Sequence, residues 1–303
     1  MRKPAKKISR KYKLKALLTN YLFILPALTL FVVLSIYPFL SMVRLSFFSW
    51  SGIGIAKKFV GLWNYKDIIF SNPIWWKSLG QAGYITLLAL TVQNGLALIL
   101  ALACDRDIKG GKFYRVVFYL PPVLSGIVVG LIWTWIFDKH GLLNHFMSLV
   151  GFSEIIRPWL ARPESALTAV AIVHMWKGFG WGFVIMLAGL QSIPRPLYEA
   201  ARVDGANLWH TFRKITFPLM IPVFVVVLIL TILGTMQIYD IIVATTGGGP
   251  GYHTEVPITR IISNILNNQR FGYACSQGIF FGLILLFFSL IQIKISRKFK
   301  PHF

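Results

Sequence analysis

Glu199 and Asp204, together with Arg195, Arg202, Arg213 and Lys214, place two acids and four bases between long apolar runs. Residues of these types offer ion pairing and hydrogen bonding at the edge of a membrane. Local signals describe how they are held. Pro194 and Pro196 suit the start of a helix, where a missing N–H costs nothing. Leu197 to Asp204 then reads as a short helix, and Gly205 stops it because glycine accepts a left-handed conformation. Asn207 caps a second helix through Trp209 and Phe212, and Pro218 marks the start of the next apolar run. The expected unit is a polar helix–turn–helix. On composition alone the amphipathic anchor for a loop is the favoured reading, and the spacing below changes it.

Other reactive constellations are missing from the sequence. Cys104 and Cys275 have no C-x-x-C partner, and the six histidines are scattered without an H-x-x-x-H pair, so no metal or disulfide framework is indicated. The stretch Lys109–Arg115, KGGKFYR, lacks the first glycine and the hydroxyl of a phosphate-binding loop. The chain is therefore expected to be neither an ATPase nor any other enzyme.

What must position the polar stretch is a membrane bundle. The 303 residues are 56% hydrophobic and 14% charged, with mean hydropathy +0.65. Soluble domains carry about 25% charged residues. Six runs are apolar over about 20 residues, the length that crosses roughly 30 Å of hydrocarbon. They are Tyr21–Val43, Gly83–Ala103, Val116–Phe137, Leu167–Leu190, Phe217–Ile238 and Ala274–Ile293. The first is too long for a signal peptide. Lys and Arg number 20 on the side of the two termini and 10 in the opposite loops. By the positive-inside rule, the termini and residues 191–216 face the cytosol. The net charge of +21 is thus topological, and no nucleic-acid partner is expected. Trp63, Trp75 and Trp76 read as a belt at the outer interface.

One spacing goes further. Glu199-Ala200-Ala201, three residues, Gly205, nine residues, Ile215, one residue, then Phe217-Pro218 resembles the EAA signature of ABC importer permeases, with Phe217 where the family has leucine. The resemblance implies that 195–215 is a coupling helix region seated in a groove of a cytosolic ATPase subunit. Glu199 would pair with a basic group there, Ala200 and Ala201 would allow close packing, and Asp204 and Gly205 would close the helix and set the bend. ATP and magnesium would belong to that partner, leaving this chain without a cofactor.

A second set of motifs narrows the class. Asp240, Thr246, Gly248, Gly249 and Pro250, with FILPAL, YPF, FVGLWNYKDI and FYLPPVLSGIVVGLIWTWIF, resemble the carbohydrate uptake class of these permeases, including those for maltose and glycerol phosphate. The implied fold is an all-α type I ABC importer permease with six transmembrane helices. Its core would span 79–294, after a basic tail (1–20), the first span (21–43) and an outer loop (44–78), and before a cytoplasmic tail (295–303). The resemblance also implies a substrate path against the spans before and after the coupling helix. Carried over by distance from the motifs, the path offers His174, Lys177, Gly178 and Trp181 on one side. On the other it offers Thr231, Thr235, Gln237 and Ile238, with Tyr239 and Asp240 nearby. Trp181 would stack on a sugar face, and Gly178 would let a ring approach the backbone. Helical spacing puts residues 174, 177, 178 and 181 on one face, and turns Gln237 away from the face shared by Thr231, Thr235 and Ile238. The bland alternatives are a face packed on a partner permease, and Asp240 in water at the outer interface.

The implied function is half the membrane pathway for a carbohydrate, an oligosaccharide foremost, in a bacterial or archaeal cytoplasmic membrane. The implied partners are a second homologous permease, an ATPase pair, an extracytoplasmic solute-binding protein and membrane lipids. Permeases for glycerol phosphate, amino acids or peptides are the alternatives within the class. An ion-coupled secondary transporter would need acids within its spans and duplicated, broken helices; the chain shows almost no such acids and no obvious duplication.

Overall fold

The computed structural model describes residues 10–105 and 110–298. Both expected terminal tails therefore lie partly outside the described residues. The first helix, α1, starts at Arg10, and its apolar part is Tyr21–Leu45. A two-stranded hairpin follows, β1 (Phe48–Ser49) against β2 (Lys58–Phe59). Next come α2 (Trp63–Phe70) and the long α3 (Pro73–Asp105). After them are α4 (Gly111–Val123), α5 (Gly126–Ile136), α6 (Leu142–Leu149) and α7 (Pro163–Gln191). The chain ends with α8 (Arg195–Val203), α9 (Leu208–Met236), α10 (Asp240–Thr245), α11 (Pro257–Leu266) and α12 (Phe271–Lys298).

Five of these helices, α1, α3, α7, α9 and α12, are long and apolar enough to cross a membrane. The expected third span, 116–137, is not one straight helix. It is the pair α4 and α5, bent by 97° at the break. Pro121 and Pro122 bring no N–H to the last turn of α4, and Leu124 and Ser125 are extended, with ψ of 145° and 133°. Without the N–H of Pro122 to bond it, the carbonyl of Phe118 is left open, and α7 comes close at that point. A Cβ on Gly180 would stand 2.5 Å from that oxygen.

Other spans outrun their expected limits. At 33 residues, α3 is about 50 Å long at 1.5 Å per residue, more than the hydrocarbon requires. The expected separate helix after Asn207 does not exist as a unit: Leu208 continues without a break through a π turn at Phe212–Thr216 into α9. Trp75 is also corrected. It is 0% exposed and belongs to the core, whereas Trp63 and Trp76 remain exposed.

The core has two parts along α7. At one end Trp75, Ile85, Val129, Val173, Ile241 and Val256 cluster; at the other Ala97, Ala101, Phe183, Met186, Met220 and Val227 do. Half of the apolar window of α7 is buried inside the chain, against 0% for α1. Apolar surface that no other part of the chain covers must face lipid or another subunit.

Candidate functional site

α3, α7, α9 and the start of α10 line a half-open cavity of about 480 Å³. Pockets for small ligands fall in a range of about 300–1,000 Å³. From α7 come His174, Lys177, Gly178 and Trp181, one face of one helix as the spacing requires. Trp181 is 55% exposed, and its ring stands edge-on to Tyr119 of α4 at 5.5 Å.

The opposite wall differs from expectation in three ways. Gln237 lines the cavity beside Ile238 and does not turn away. The helix ends at Met236, and at Gln237 the backbone leaves helical geometry (φ −102°, ψ 16°), so helical periodicity no longer governs its direction. Tyr239 is not among the lining residues. Thr231 and Thr235 do border the cavity, but their hydroxyls are already engaged. Thr235 donates to the carbonyl of Thr231 at 2.7 Å, and its hydroxyl lies 2.9 Å from that of Thr86. Asn94 donates to the Thr231 hydroxyl at 3.2 Å. These contacts pin α9 to α3 through groups that would otherwise be costly among apolar helices.

Asp240 borders the cavity at the first turn of α10, where its Oδ1 accepts from the N–H of Ile241 at 3.0 Å. Its carboxylate lies against Gly126 at the start of α5, where a Cβ would collide with it, and one turn on, Gly130 meets Ala244. The carboxylate is half-buried, packed on α5 on one side and bordering the cavity on the other. Among the described residues, neither Lys177 nor Asp240 belongs to an ion pair.

The polar segment forms a second site at the opposite end of α7. α8 begins after Pro194 with Pro196 in its first turn. It ends as read, with Gly205 at φ +73° and the N–H of Ala206 bonded to Ala201 O at 2.9 Å. A side chain at that φ would cost about 1–2 kcal/mol. Asn207 caps α9, accepting from the N–H of His210 at 2.8 Å. The two alanines divide: Ala201 is buried against the chain's own bundle, while Glu199, Ala200, Asp204 and Gly205 are exposed. The Tyr198 hydroxyl ties α8 to α9 through Thr216 at 3.2 Å. Leu197, Val203, Leu208 and Trp209 of the same segment are exposed as well, apolar surface of the kind that marks an interaction site.

The family model for the binding-protein-dependent transport system inner membrane component matches residues 93–301. The chain belongs to that family. Its relatives include the trehalose/maltose transport system permease protein MalF of Thermococcus litoralis, 31% identical over 96% of this chain and 97% of the relative. The multiple sugar-binding transport system permease protein MsmF of Streptococcus mutans is 32% identical, covering 93% and 96%. In structure the chain is similar to a crystallised bacterial ABC transporter involved in import of the acidic polysaccharide alginate. The TM-score is 0.82 at 22% identity, over 97% of this chain and all of that one. The fold is thus the expected all-α one of type I ABC importer permeases.

In this inner membrane component, sequence reasoning missed the polar residues of α3. Thr86, Gln93 and Asn94 lie within the run 83–103, and all three are buried. An amide pair in the middle of an apolar span was itself a signal, because polar groups are expensive there. Gln93 borders the cavity, and its Oε1 is buried with no hydrogen-bond partner among the described residues. A buried acceptor left unpaired costs about 1–3 kcal/mol.

Proposed function

We propose that this chain is one of two permease subunits of an ATP-driven ABC importer and lines half of the pathway for a carbohydrate, an oligosaccharide foremost. One observation carries this reading: a half-open cavity between the spanning helices that an aromatic ring, a lysine, a histidine and a carboxylate line together. A sugar presents C–H faces and a rim of hydroxyls. The half-exposed indole of Trp181 suits the faces. Lys177 can donate to hydroxyl oxygens, Asp240 can accept from hydroxyl hydrogens, and Gln237 can do either. The sugar specificities in the names of the relatives support the substrate class.

ATP would be hydrolysed by a separate pair of subunits docked on α8, with Glu199 exposed for a basic partner. A solute-binding protein would deliver from the other face, and the second permease would complete the cavity wall. The basic side of the bundle, including α8, would face the cytosol.

The test is import by the four-component complex in proteoliposomes, with labelled trehalose, maltose and maltotriose as probes. Trp181→Ala should lower import of the accepted probe at least tenfold while the complex stays assembled. Import equal to wild type removes Trp181 from the path. Loss of assembly instead assigns this face to the permease–permease interface.

A further inference from the structure

Gln93 closes the π turn Ala89–Gln93 of α3 and reaches across to α7. Its carboxamide lies against Gly178: a Cβ there would stand 2.8 Å from Oε1 and 3.0 Å from both Cδ and Nε2. The space over Gly178, expected to admit a sugar ring, is therefore already filled by an amide. The side chain is only 6% exposed, yet it borders the same cavity as Lys177 and Trp181. Its neighbour Asn94 faces the Thr231 hydroxyl of α9 with both amide oxygen and nitrogen. Gln93 differs: its amide oxygen is buried and has no partner among the described residues. An extra residue in a helical turn, frequent at functional sites, is what brings two consecutive amides to the bundle side.

We infer that Gln93 is a solute-contacting residue: a half-turn about its terminal amide torsion, which is broad and roughly two-fold, presents the oxygen now packed against Gly178 to a hydroxyl of the passing carbohydrate, and the missing side chain at Gly178 makes room for that amide. The inference rests on the cavity being the transport path. An amide oxygen only accepts, so the contact selects for a hydroxyl donor and against its deoxy or ether counterpart. A site that loses such a partner leaves a buried group unpaired, which is what makes hydroxyl recognition sharp.

The experiment uses the same reconstituted complex and whichever of trehalose, maltose and maltotriose the wild type imports, together with its singly deoxygenated forms. In the wild type, removal of one particular hydroxyl should lower import about tenfold or more. In Gln93→Met, which keeps length but offers no oxygen, import of the parent sugar should fall by a similar factor and that deoxygenation should cost nothing further. The binding protein is common to both measurements, so its own preferences cancel in the ratio. Should Gln93→Met fail to assemble, Gly178→Ala carries the same comparison, because its methyl displaces the amide. Identical deoxygenation profiles in wild type and variant overturn the inference. Normal import by Gln93→Met with loss in Trp181→Ala removes Gln93 and leaves the path. Normal import by both removes the path itself, and a wild type that imports no glycan removes the carbohydrate reading.

Discussion

Glu255 is buried beside Arg260, with Oε2 3.7 Å from the guanidinium, and Arg260 also lies over the ring of Tyr252 at 5.6 Å. The loop they close is tied down at both edges. Thr246 and Thr254 share a hydrogen bond of 2.6 Å, and Gln81 of α3 donates to Tyr252 O at 2.9 Å. Burial pushes the Glu255 carboxyl up from its ordinary 4.5, and Arg260 offsets only part of that. A carboxyl raised in the fold binds its proton more tightly there than in the unfolded chain. Its contribution to stability is therefore complete below about 4.5 and declines as pH rises through the raised value. Glu255→Gln should abolish this decline, so that the variant gains on the wild type as pH rises above about 4.5. Thermal unfolding of the detergent-solubilised complex checks it; parallel curves for the two proteins would exclude Glu255 as the cause.

At the scale of elements, α8 is a short lever fixed at both ends. Ala201 and Tyr198 hold it to the bundle, and the left-handed Gly205 turns the chain directly into α9. Since no independent second helix intervenes, under the proposed coupling a push on α8 would reach α9, which borders the cavity, through the turn at Gly205 and the Tyr198–Thr216 contact. Small displacements become rigid-body motions when packed elements have discrete arrangements. Glu199→Lys reverses the exposed charge, and Gly205→Pro forces φ to about −65° where +73° is needed and removes the N–H bonded to Arg202 O. Both variants should insert in the membrane, yet import and binding-protein-stimulated ATP hydrolysis should fall together, about tenfold or more. Wild-type values for both would show that α8 does not transmit the ATPase stroke.

For the whole molecule, the orientation proposed above rests on the 20-to-10 asymmetry of Lys and Arg. The polar segment and the loop 138–166 lie at opposite ends of α7. In a chain lacking Cys104 and Cys275, both buried, a cysteine at exposed Ser153 should react with an impermeant thiol reagent in intact cells. One at exposed Asn207 should be protected until the membrane is opened. Labelling of Asn207 from outside would invert the topology and place α8 out of reach of any cytosolic ATPase. The uncovered surface of α1 belongs to this scale too, since lipid or another subunit must cover it.

Sequence alone determined what is settled locally or by solvent. Apolar runs had to become spanning helices because lipid leaves backbone groups no other partner. Pro194, Gly205 and Asn207 marked the limits of α8 and the start of α9 because caps and left-handed turns depend on one or two residues. The face shared by His174, Lys177, Gly178 and Trp181 followed from helical period. What a second helix places opposite that face is not periodic information. Gln93 lies 85 positions from Gly178, Thr86 and Asn94 are far in sequence from Thr235 and Thr231, and only packing brought them together. Tertiary structure likewise decided the 97° bend between α4 and α5, the burial of Trp75 and the turn that aims Gln237 inward. Each depends on where one helix stops and another fits against it, and on which hydrogen bonds are then already spent.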